Sequence, residues 1–286
     1  FYWEESDSST YTEDADGTLM YTPAAIAMLA AGNLRKALMS GVTTLRDTGS
    51  VNDIMYDVRR GVKKGYVPAP KLYLCGRLII PTGGHCHNLP GLTNQADGPY
   101  DFRRAVREEI RAGADFIKLA NDKQDCTQEE LNAAVDEAHR LDRKVACHTI
   151  WQPSQRMAIE AGADTFEHGT PTHEEIDLAA KKGIAWTPTV NMSQEYLRWY
   201  EQRLNHSDSI QAQIAREAYA SQMEYLERKH DSMEYALKAG LKVVAGTDSF
   251  LNDVRFDALP DEIHWLVEYG CTPMQAIQAA TLWAAQ

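Results

Sequence analysis

Three metal-binding side chains stand at the carboxyl ends of three short apolar segments in this sequence. The segments are Val145–His148, Thr165–His168 and Val243–Asp248, and each ends at the residue of interest. Imidazole nitrogens and carboxylate oxygens are ligands of zinc and related divalent ions, and a catalytic site keeps one coordination position open for water. Either histidine alone could equally be a hydrogen-bonded core residue. Their joint position at successive segment ends favours a hydrolytic metal centre.

Lys118 lies in a fourth segment of the same kind, Asp115–Leu119. A lysine that points into a buried cavity loses hydration, so it either pairs with an acid or becomes neutral. A neutral amine can react with carbon dioxide, and the resulting carbamate has two oxygens that can bridge two divalent ions. We therefore predict that Lys118 is a metal ligand in its carbamate form. An ion pair with a nearby acid is the alternative.

Asp248 has a second predicted role beside that of a metal ligand. A carboxylate next to an activated water can accept its proton and return it to the leaving amine. The alternative is a structural acid that caps the following helix or pairs with Arg255.

A glycine turn with two imidazoles, Pro81–His87, follows another predicted strand. His85 and His87 on such a loop could polarise a substrate carbonyl. A plain turn with surface histidines is an equally good interpretation. The turn is not a phosphate-binding P-loop, since Lys and Ser/Thr do not follow its glycines.

Helices and short buried strands alternate along the chain, a pattern that predicts parallel strand pairing. A (β/α)8 barrel collects functional side chains at the carboxyl ends of its strands, whereas a doubly wound sheet gathers ligands at one switch point. We therefore predict a TIM-type barrel. Seven strands are counted against the required eight, so the first strand is expected upstream of Phe1. The predicted strands are Val42–Asp47, Lys71–Cys75, Asp115–Leu119, Lys144–His148, Asp164–His168, Ile184–Pro188 and Lys242–Asp248. The predicted helices are Pro23–Ser40, Asn52–Lys63, Tyr100–Ala112, Thr127–Leu141, Pro153–Ala161, Glu174–Lys182, Ser207–Ala239, Pro260–Glu268 and Pro273–Ala284.

Length and composition favour one catalytic domain over residues 1–286, expected to be truncated at both ends. The net charge of -12 argues against nucleic acid or an anionic membrane as a partner and favours a small-molecule substrate. The five cysteines are scattered and odd in number, which favours a reducing, cytoplasmic location. The sequence contains no run of ~20 apolar residues, so no membrane span is predicted. The sequence does not determine the oligomeric state, and a homo-oligomer is compatible with it.

Several short motifs, in their order along the chain, resemble the amidohydrolase superfamily in its imidazolonepropionase-like branch, which includes Xaa-Pro dipeptidases and related carboxypeptidases. The resemblance covers nearly the whole chain. The motifs are Gly41–Asp47, Thr82–His85, Gly113–Lys118, Val145–His148, Phe166–Gly169, Thr187–Thr189, Gly246–Asp248, Gly270–Ile277 and Ala280–Thr281.

The resemblance implies a barrel with one or two metal ions, usually zinc, that activate water against a C–N bond. It implies that Lys118 is the carboxylated bridging lysine, that His148 and His168 bind the second metal, and that Asp248 is both ligand and proton shuttle. It also implies that His85 helps to hold the scissile carbonyl.

The chain departs from the family pattern in four places. A His-x-His pair on the first strand is absent and is expected just upstream of Phe1, and the small flanking β-sandwich is missing. The segment Ala120–Gln124 replaces a small-residue and glycine run. Trp151 lies close to where some dipeptidase members carry a substrate-binding tyrosine.

From these residues and the resemblance we predict a metal-dependent hydrolase that cleaves an amide or peptide-like bond of a dipeptide, N-acyl amino acid or cyclic amide. It would be a metallo-dipeptidase or carboxypeptidase, with His85, His87 and Trp151 binding the substrate. The alternative is a non-catalytic or mononuclear barrel remnant that binds a small ligand. A phosphate-handling isomerase is disfavoured, because no glycine-rich phosphate loop lies near the last strand.

Overall fold

The computed structural model describes residues 22–89, 91–123, 125–204, 210–249 and 254–286. Strands and helices alternate over most of these ranges. The strands are β1 (Thr44–Asp47), β2 (Lys71–Leu74), β3 (Leu78–Ile80), β4 (Thr93–Gln95), β5 (Ile117–Ala120), β6 (Val145–His148), β7 (Thr165–Glu167) and β8 (Ala185–Thr187). The helices are α1 (Pro23–Met39), α2 (Ile54–Lys63), α3 (Gly98–Ala112), α4 (Gln128–Arg140), α5 (Ser154–Ala161), α6 (His173–Lys182), α7 (Val190–Leu204), α8 (Ile210–Ala239), α9 (Leu259–Glu268) and α10 (Pro273–Ala280).

The strands are parallel, and most neighbours in the sheets are also successive in the chain. One sheet pairs β1 with β2, and the other runs β4-β3-β5-β6-β7-β8. The two sheets adjoin, since β3 follows β2 after only three residues and the Asp115 amide donates to the Leu74 carbonyl at 2.7 Å. From β5 to β8 each strand pairs with the next one in the chain, as in a barrel wall, whereas β4 pairs with the other edge of β3 and departs from that order.

Six of the seven predicted strands are confirmed, and the seventh is wrong as a continuous strand. In the predicted segment Lys242–Asp248, only Val243 pairs, in an isolated parallel bridge to Trp186. The backbone then turns at Gly246, where an added Cβ would lie 2.5 Å from Cγ2 of Thr187. The segment therefore extends the wall by one pairing and continues as a loop.

Two strands and one helix were not predicted. The strands β3 and β4 have three residues each, too short for a sequence pattern. Helix α7 directly follows the predicted strand Ile184–Pro188, and Thr189, a residue type common at helix starts, was not recognised as its beginning. The predicted helix Ser207–Ala239 is confirmed from Ile210 onward, and its start lies outside the described residues.

Local signals account for several helix boundaries. Thr127 and Glu130 form a capping box at the start of α4, and Thr172 and Glu175 form another at the start of α6. Gly183 ends α6 in the left-handed region, with φ of 72°. The last predicted helix ends at Ala280 instead of Ala284, since the residues after it form turns.

The strands in the middle of the larger sheet are buried, whereas β1, β2 and β4 are partly exposed. All four residues of β5 and of β6 are buried, as expected for parallel strands covered on both faces. Phe166 and Trp186 are fully buried and stack with ring centroids 6.2 Å apart. This packing fixes β7 and β8, whose carboxyl ends support the residues described next. Over the described part of the chain, none of the helices combines the length and apolar character of a membrane span.

Candidate metal centre at the carboxyl ends of the strands

Parallel pairing brings Lys118, His148 and His168 to one end of the wall. Ala120 of β5 lies opposite His148 of β6, and His148 lies opposite Glu167 of β7. Side chains alternate along a strand, so Lys118, two residues before Ala120, faces the same side as His148. His168 directly follows β7.

The predicted ligands lie close together although they are far apart in sequence. The rings of His148 and His168 have centroids 4.8 Å apart at an interplanar angle of 63°. Nε2 of His168 lies 3.8 Å from Oδ2 of Asp248. Lys118 is 4% exposed. Its positive charge lies near enough to lower the pKa values of His148, His168 and Asp248. One cluster therefore contains all four residues, with Lys118, His148 and His168 buried and Asp248 partly exposed.

Lys118 forms an ion pair with an acid, which was the alternative to the predicted carbamate. Its ammonium contacts the carboxylate of Glu167, which is 4% exposed. Nη2 of Arg46 donates to Oε1 of the same carboxylate at 2.8 Å. Burial, together with the nearby Arg46 guanidinium, lowers the pKa of Lys118 to about 8. Sequence reasoning did not identify Glu167 or Arg46, although both lie inside family motifs and Glu167 directly precedes His168.

His85 and Asp122 join the group from two loops. The His85 ring stacks on His148 with centroids 3.9 Å apart, and its Nδ1 lies 3.6 Å from Oδ2 of Asp122. Burial alone would lower the pKa of His85, but hydrogen bonds to Asp122 and Cys86 outweigh it and raise this pKa to about 9. Asp122 was not predicted. It lies two residues past β5, in the segment that departs from the family pattern.

Two buried ligand atoms have no partner among the described residues, Nε2 of His148 and Oδ1 of Asp122. An unpaired buried polar atom is costly, and a bound cation would satisfy both atoms. Candidate ligand atoms of His85, Asp122 and His148 all lie within 4.8 Å of one another. His148 and Asp122 therefore offer unpaired ligand atoms to a divalent cation, and His85 lies close by.

Ring orientation distinguishes the two histidine pairs. Imidazole lone pairs lie in the ring plane, and the rings of His85 and His148 are only 22° from parallel. The lone pairs of these two rings therefore cannot both point at one ion unless the His85 ring rotates. The 63° angle between His148 and His168 imposes no such restriction. His148 and His168 are accordingly the better pair of nitrogen ligands.

The protonation states of the buried groups agree with metal binding. Burial, reinforced by neighbouring positive groups, lowers the pKa of both His148 and His168 well below the usual value. Both imidazoles are therefore neutral near pH 7, the form that binds a metal. Burial raises the pKa of Asp248, although Lys118 opposes this shift.

The two remaining predicted residues lie outside this group of contacts. His87 is exposed, and its Nδ1 lies 3.0 Å from the Gly84 carbonyl oxygen. Trp151 is 47% exposed, with Nζ of Lys123 lying 5.5 Å from its ring centroid. Their substrate-binding roles stay predictions.

Non-glycine residues with positive φ are concentrated at this end of the wall. His168, Thr189 and Asp248 have φ values of 64°, 48° and 49°. Such conformations are sparsely populated, and they persist only where surrounding contacts enforce them. The backbone is therefore held in unusual conformations at two of the predicted ligands.

Comparison with known protein sequences gives one family and several relatives. The family model described as "Amidohydrolase family" matches residues 6–286. Ochratoxinase of Aspergillus niger is 28% identical over 310 residues, which cover 96% of this chain and 61% of that protein. An uncharacterized protein of Mycobacterium tuberculosis is 28% identical over 258 residues, which cover 84% of this chain and 62% of that protein. The chain thus spans about three fifths of the length of these curated relatives.

Solved structures show the same fold. A Xaa-Pro dipeptidase with methionine bound in its active site superposes with a TM-score of 0.80 at 26% identity, covering 96% of this chain and 71% of that one. The crystal structure of A. niger ochratoxinase also gives a TM-score of 0.80, at 25% identity, covering 99% of this chain and 69% of that one.

Proposed function

The chain belongs to the amidohydrolase family, and from that premise we propose that it forms the barrel of a metal-dependent hydrolase that cleaves an amide or peptide-like C–N bond in a small substrate. The observation that carries the proposal is the meeting of Lys118, His148, His168 and Asp248 in one cluster. These residues come from four segments of the chain. An unpaired His148 nitrogen at their centre supports a cation site over a structural cluster.

One or two divalent ions, zinc by preference, would be held by His148, His168 and Asp248, with Lys118 as a carbamate ligand. Neutral imidazole and carboxylate are zinc's usual nitrogen and oxygen ligands. When bound, the ion would lower the pKa of a water molecule and polarise the scissile carbonyl.

Asp248 and His85 would carry out the proton chemistry. The raised pKa of Asp248, caused by burial, suits a base that accepts the proton of the attacking water and transfers it to the leaving nitrogen. His85, whose pKa is raised by Asp122, would donate a hydrogen bond to the oxygen that becomes negative as the carbonyl is attacked.

Formation of the carbamate requires Lys118 to leave its ion pair. The neutral amine would form an N–C bond to carbon dioxide and release a proton to solvent. Arg46, which donates to the Glu167 carboxylate, would keep that carboxylate paired when the ammonium is gone. The lowered pKa of Lys118, caused by burial, supports this route because it increases the fraction of free amine.

The substrate class rests on the family and its members' names. A dipeptide, an N-acyl amino acid or a cyclic amide would suit a metallo-dipeptidase or carboxypeptidase, in agreement with a Xaa-Pro dipeptidase among the structural relatives. His85, His87 and Trp151 are the proposed substrate contacts.

The deciding experiment replaces the proposed proton carrier. Asp248→Asn in the zinc-loaded full protein should lower kcat about 10²- to 10⁴-fold, because the amide cannot accept the proton. Asp257→Asn is the matched control, since Asp257 pairs with Arg255 and is 46% exposed. Hydrolysis of a panel of dipeptides and N-acyl amino acids is the measurement. Wild-type turnover in the first variant would remove Asp248 from the mechanism.

A non-catalytic or mononuclear barrel is the second candidate, favoured by the ion pair between Lys118 and Glu167. If Lys118 remains an ammonium, it cannot bridge two ions. Elemental analysis separates the two candidates. Lys118→Ala should reduce the metal content of a bridged pair, whereas a mononuclear site should keep its single ion.

A further inference from the structure

Two buried ionisable side chains hold the short segment between β8 and α7. Nζ of Lys229, from α8, donates to the carbonyl oxygen of Pro188. Glu262, from α9, accepts from the backbone amides of Val190 at 3.1 Å and Asn191 at 2.7 Å. Both side chains are 0% exposed. Buried polar groups are retained only with well-formed partners, and here the partners are the backbone groups of one segment.

Thr189 lies between these two contacts in a strained conformation. Its φ is 48°, an outlier for a β-branched residue that the surrounding contacts must enforce. Its hydroxyl donates to the Pro188 carbonyl at 2.8 Å. The same hydroxyl oxygen lies 2.8 Å from Nδ1 of His168. Because its one proton is already donated to Pro188, the hydroxyl must accept from Nδ1, which therefore carries the ring hydrogen.

The protonated Nδ1 determines what His168 presents to the metal centre. A neutral imidazole has one N–H, so Nε2 keeps its lone pair. That nitrogen lies 3.8 Å from Oδ2 of Asp248. A hydrogen bond to the far nitrogen is the usual means by which a protein fixes the tautomer and angle of a ligating histidine.

We infer that Lys229 and Glu262 are positioning residues that hold Thr189 in place, so that Thr189 keeps the Nε2 lone pair of His168 directed at the metal centre. Lys229 acts through the backbone, since it contacts the Pro188 carbonyl and is fully buried. The value of this arrangement for catalysis rests on the proposed function, but the state of the His168 ring can be measured without it.

The experiment compares four variants of the full protein labelled with ¹⁵N in its histidines, at pH 7.5. Thr189→Val removes the hydroxyl and keeps the β-branched shape, and Thr189→Ser keeps the hydroxyl. Lys229→Met removes the buried amine. Lys182→Met is its matched control, because Nζ of Lys182 also donates to backbone carbonyls, those of Ile159 and Glu160. The readouts are the ring nitrogen shifts of His168, assigned with His168→Gln, and the Kd for Zn²⁺ by calorimetry.

The wild type should show a protonated Nδ1 and a free Nε2 at His168. Thr189→Val and Lys229→Met should shift the ring toward the other tautomer and raise the Kd for Zn²⁺ about 10- to 100-fold. Thr189→Ser and Lys182→Met should keep wild-type shifts and affinity. A general loss of packing at position 189 would affect Thr189→Ser as well, so a difference between the two Thr189 variants reports the hydroxyl.

A folded Thr189→Val protein with wild-type ring shifts would overturn the inference, and a folded Lys229→Met protein with wild-type shifts would overturn the part played by Lys229. If Lys229→Met does not fold, Glu262→Gln takes its place, with the same expected tautomer shift and the same overturning result. Failure of the proposed function is distinguishable, since wild-type protein without hydrolysis would still report the His168 tautomer.

Discussion

Ionisable residues of the candidate metal centre lie next to oppositely charged groups from neighbouring strands and loops. Glu167 and Arg46 accompany Lys118 inside the wall, and Asp122 accompanies His85 at its rim. Each ionisable group thus depends on a partner that is remote in sequence. Removal of a single partner should therefore change the protonation of a group that the substitution leaves intact.

The pairing of His85 with Asp122 predicts a pH-dependent contribution to stability. Burial opposes the charge on His85, but hydrogen bonds to Asp122 and Cys86 raise its pKa to about 9 from the ordinary value of 6.5. Because the pKa of His85 is higher in the folded state, protonated His85 stabilises the protein, and this stabilisation is fully present below about pH 6.5. It is lost as the pH rises from about 6.5 through about 9. In metal-free protein it should amount to roughly 1–3 kcal/mol. Asp122→Asn should remove most of it, as measured by urea unfolding across this pH range.

Asp125→Asn is the control for that measurement, because Asp125 is an exposed acid on the same loop. It should keep the wild-type pH profile. Equal pH profiles for wild type and Asp122→Asn would show that Asp122 does not raise the pKa of His85.

At the level of elements, the turn from β7 into α6 has to place His168 while it passes close to the preceding connection. Gly169 follows His168 with φ of 53°, and it is buried. An added Cβ would collide with the side-chain amide of Gln155 and lie 2.8 Å from the Thr149 carbonyl oxygen. Gln155 is fully buried, so it has little room to move.

Gly169→Ala should therefore destabilise the protein more than a glycine replacement at an open site. Gly183→Ala is the matched comparison, since Gly183 has φ of 72° and no atom within 4 Å of an added Cβ. Both changes carry the left-handed conformational penalty of about 1–2 kcal/mol. The collision should add about 1–3 kcal/mol at Gly169 alone. Urea denaturation midpoints with equal shifts in the two variants would contradict the crowding seen around Gly169.

At the scale of the whole molecule, the proposed metal centre brings together segments that are far apart along the chain. Lys118 and Asp248 are separated by 130 positions, and the strands between them form one parallel wall. A cation bound there connects β5, β6 and β7 with the segment after Val243. Since such a site does not exist in the unfolded chain, its binding energy should appear as folding stability.

Zinc should accordingly raise the free energy of unfolding of the full protein, by about 2.7 kcal/mol at 100 times Kd and about 4 kcal/mol at 1,000 times Kd. A chelator should reverse the increase. His168→Ala should abolish most of it, whereas His139→Ala should not, since His139 is 44% exposed and pairs with Asp164. Calorimetric unfolding with and without zinc is the measurement. An equal zinc effect in both variants would exclude His168 as a ligand.

The sequence by itself determined the features that depend on neighbouring residues. Alternating helices and short apolar strands predicted the parallel wall, and Thr127 with Glu130 or Thr172 with Glu175 marked the starts of two helices. His148 ends its strand and His168 directly follows one, so their convergence could be expected from parallel pairing alone. The family followed from the order of the motifs along the chain.

Only the tertiary structure decided the features that depend on distant contacts. Helix α7 follows Thr189, but the Thr189 hydroxyl bonds to Pro188 and His168, and the first amides of the helix donate to Glu262, some 70 positions away. Asp122 became a neighbour of His85, and Glu167 a partner of Lys118, only when loops and strands were brought together in space. Hydrogen bonds and ion pairs act over a few ångströms, and a linear pattern records such proximity only where the partners are also close along the chain.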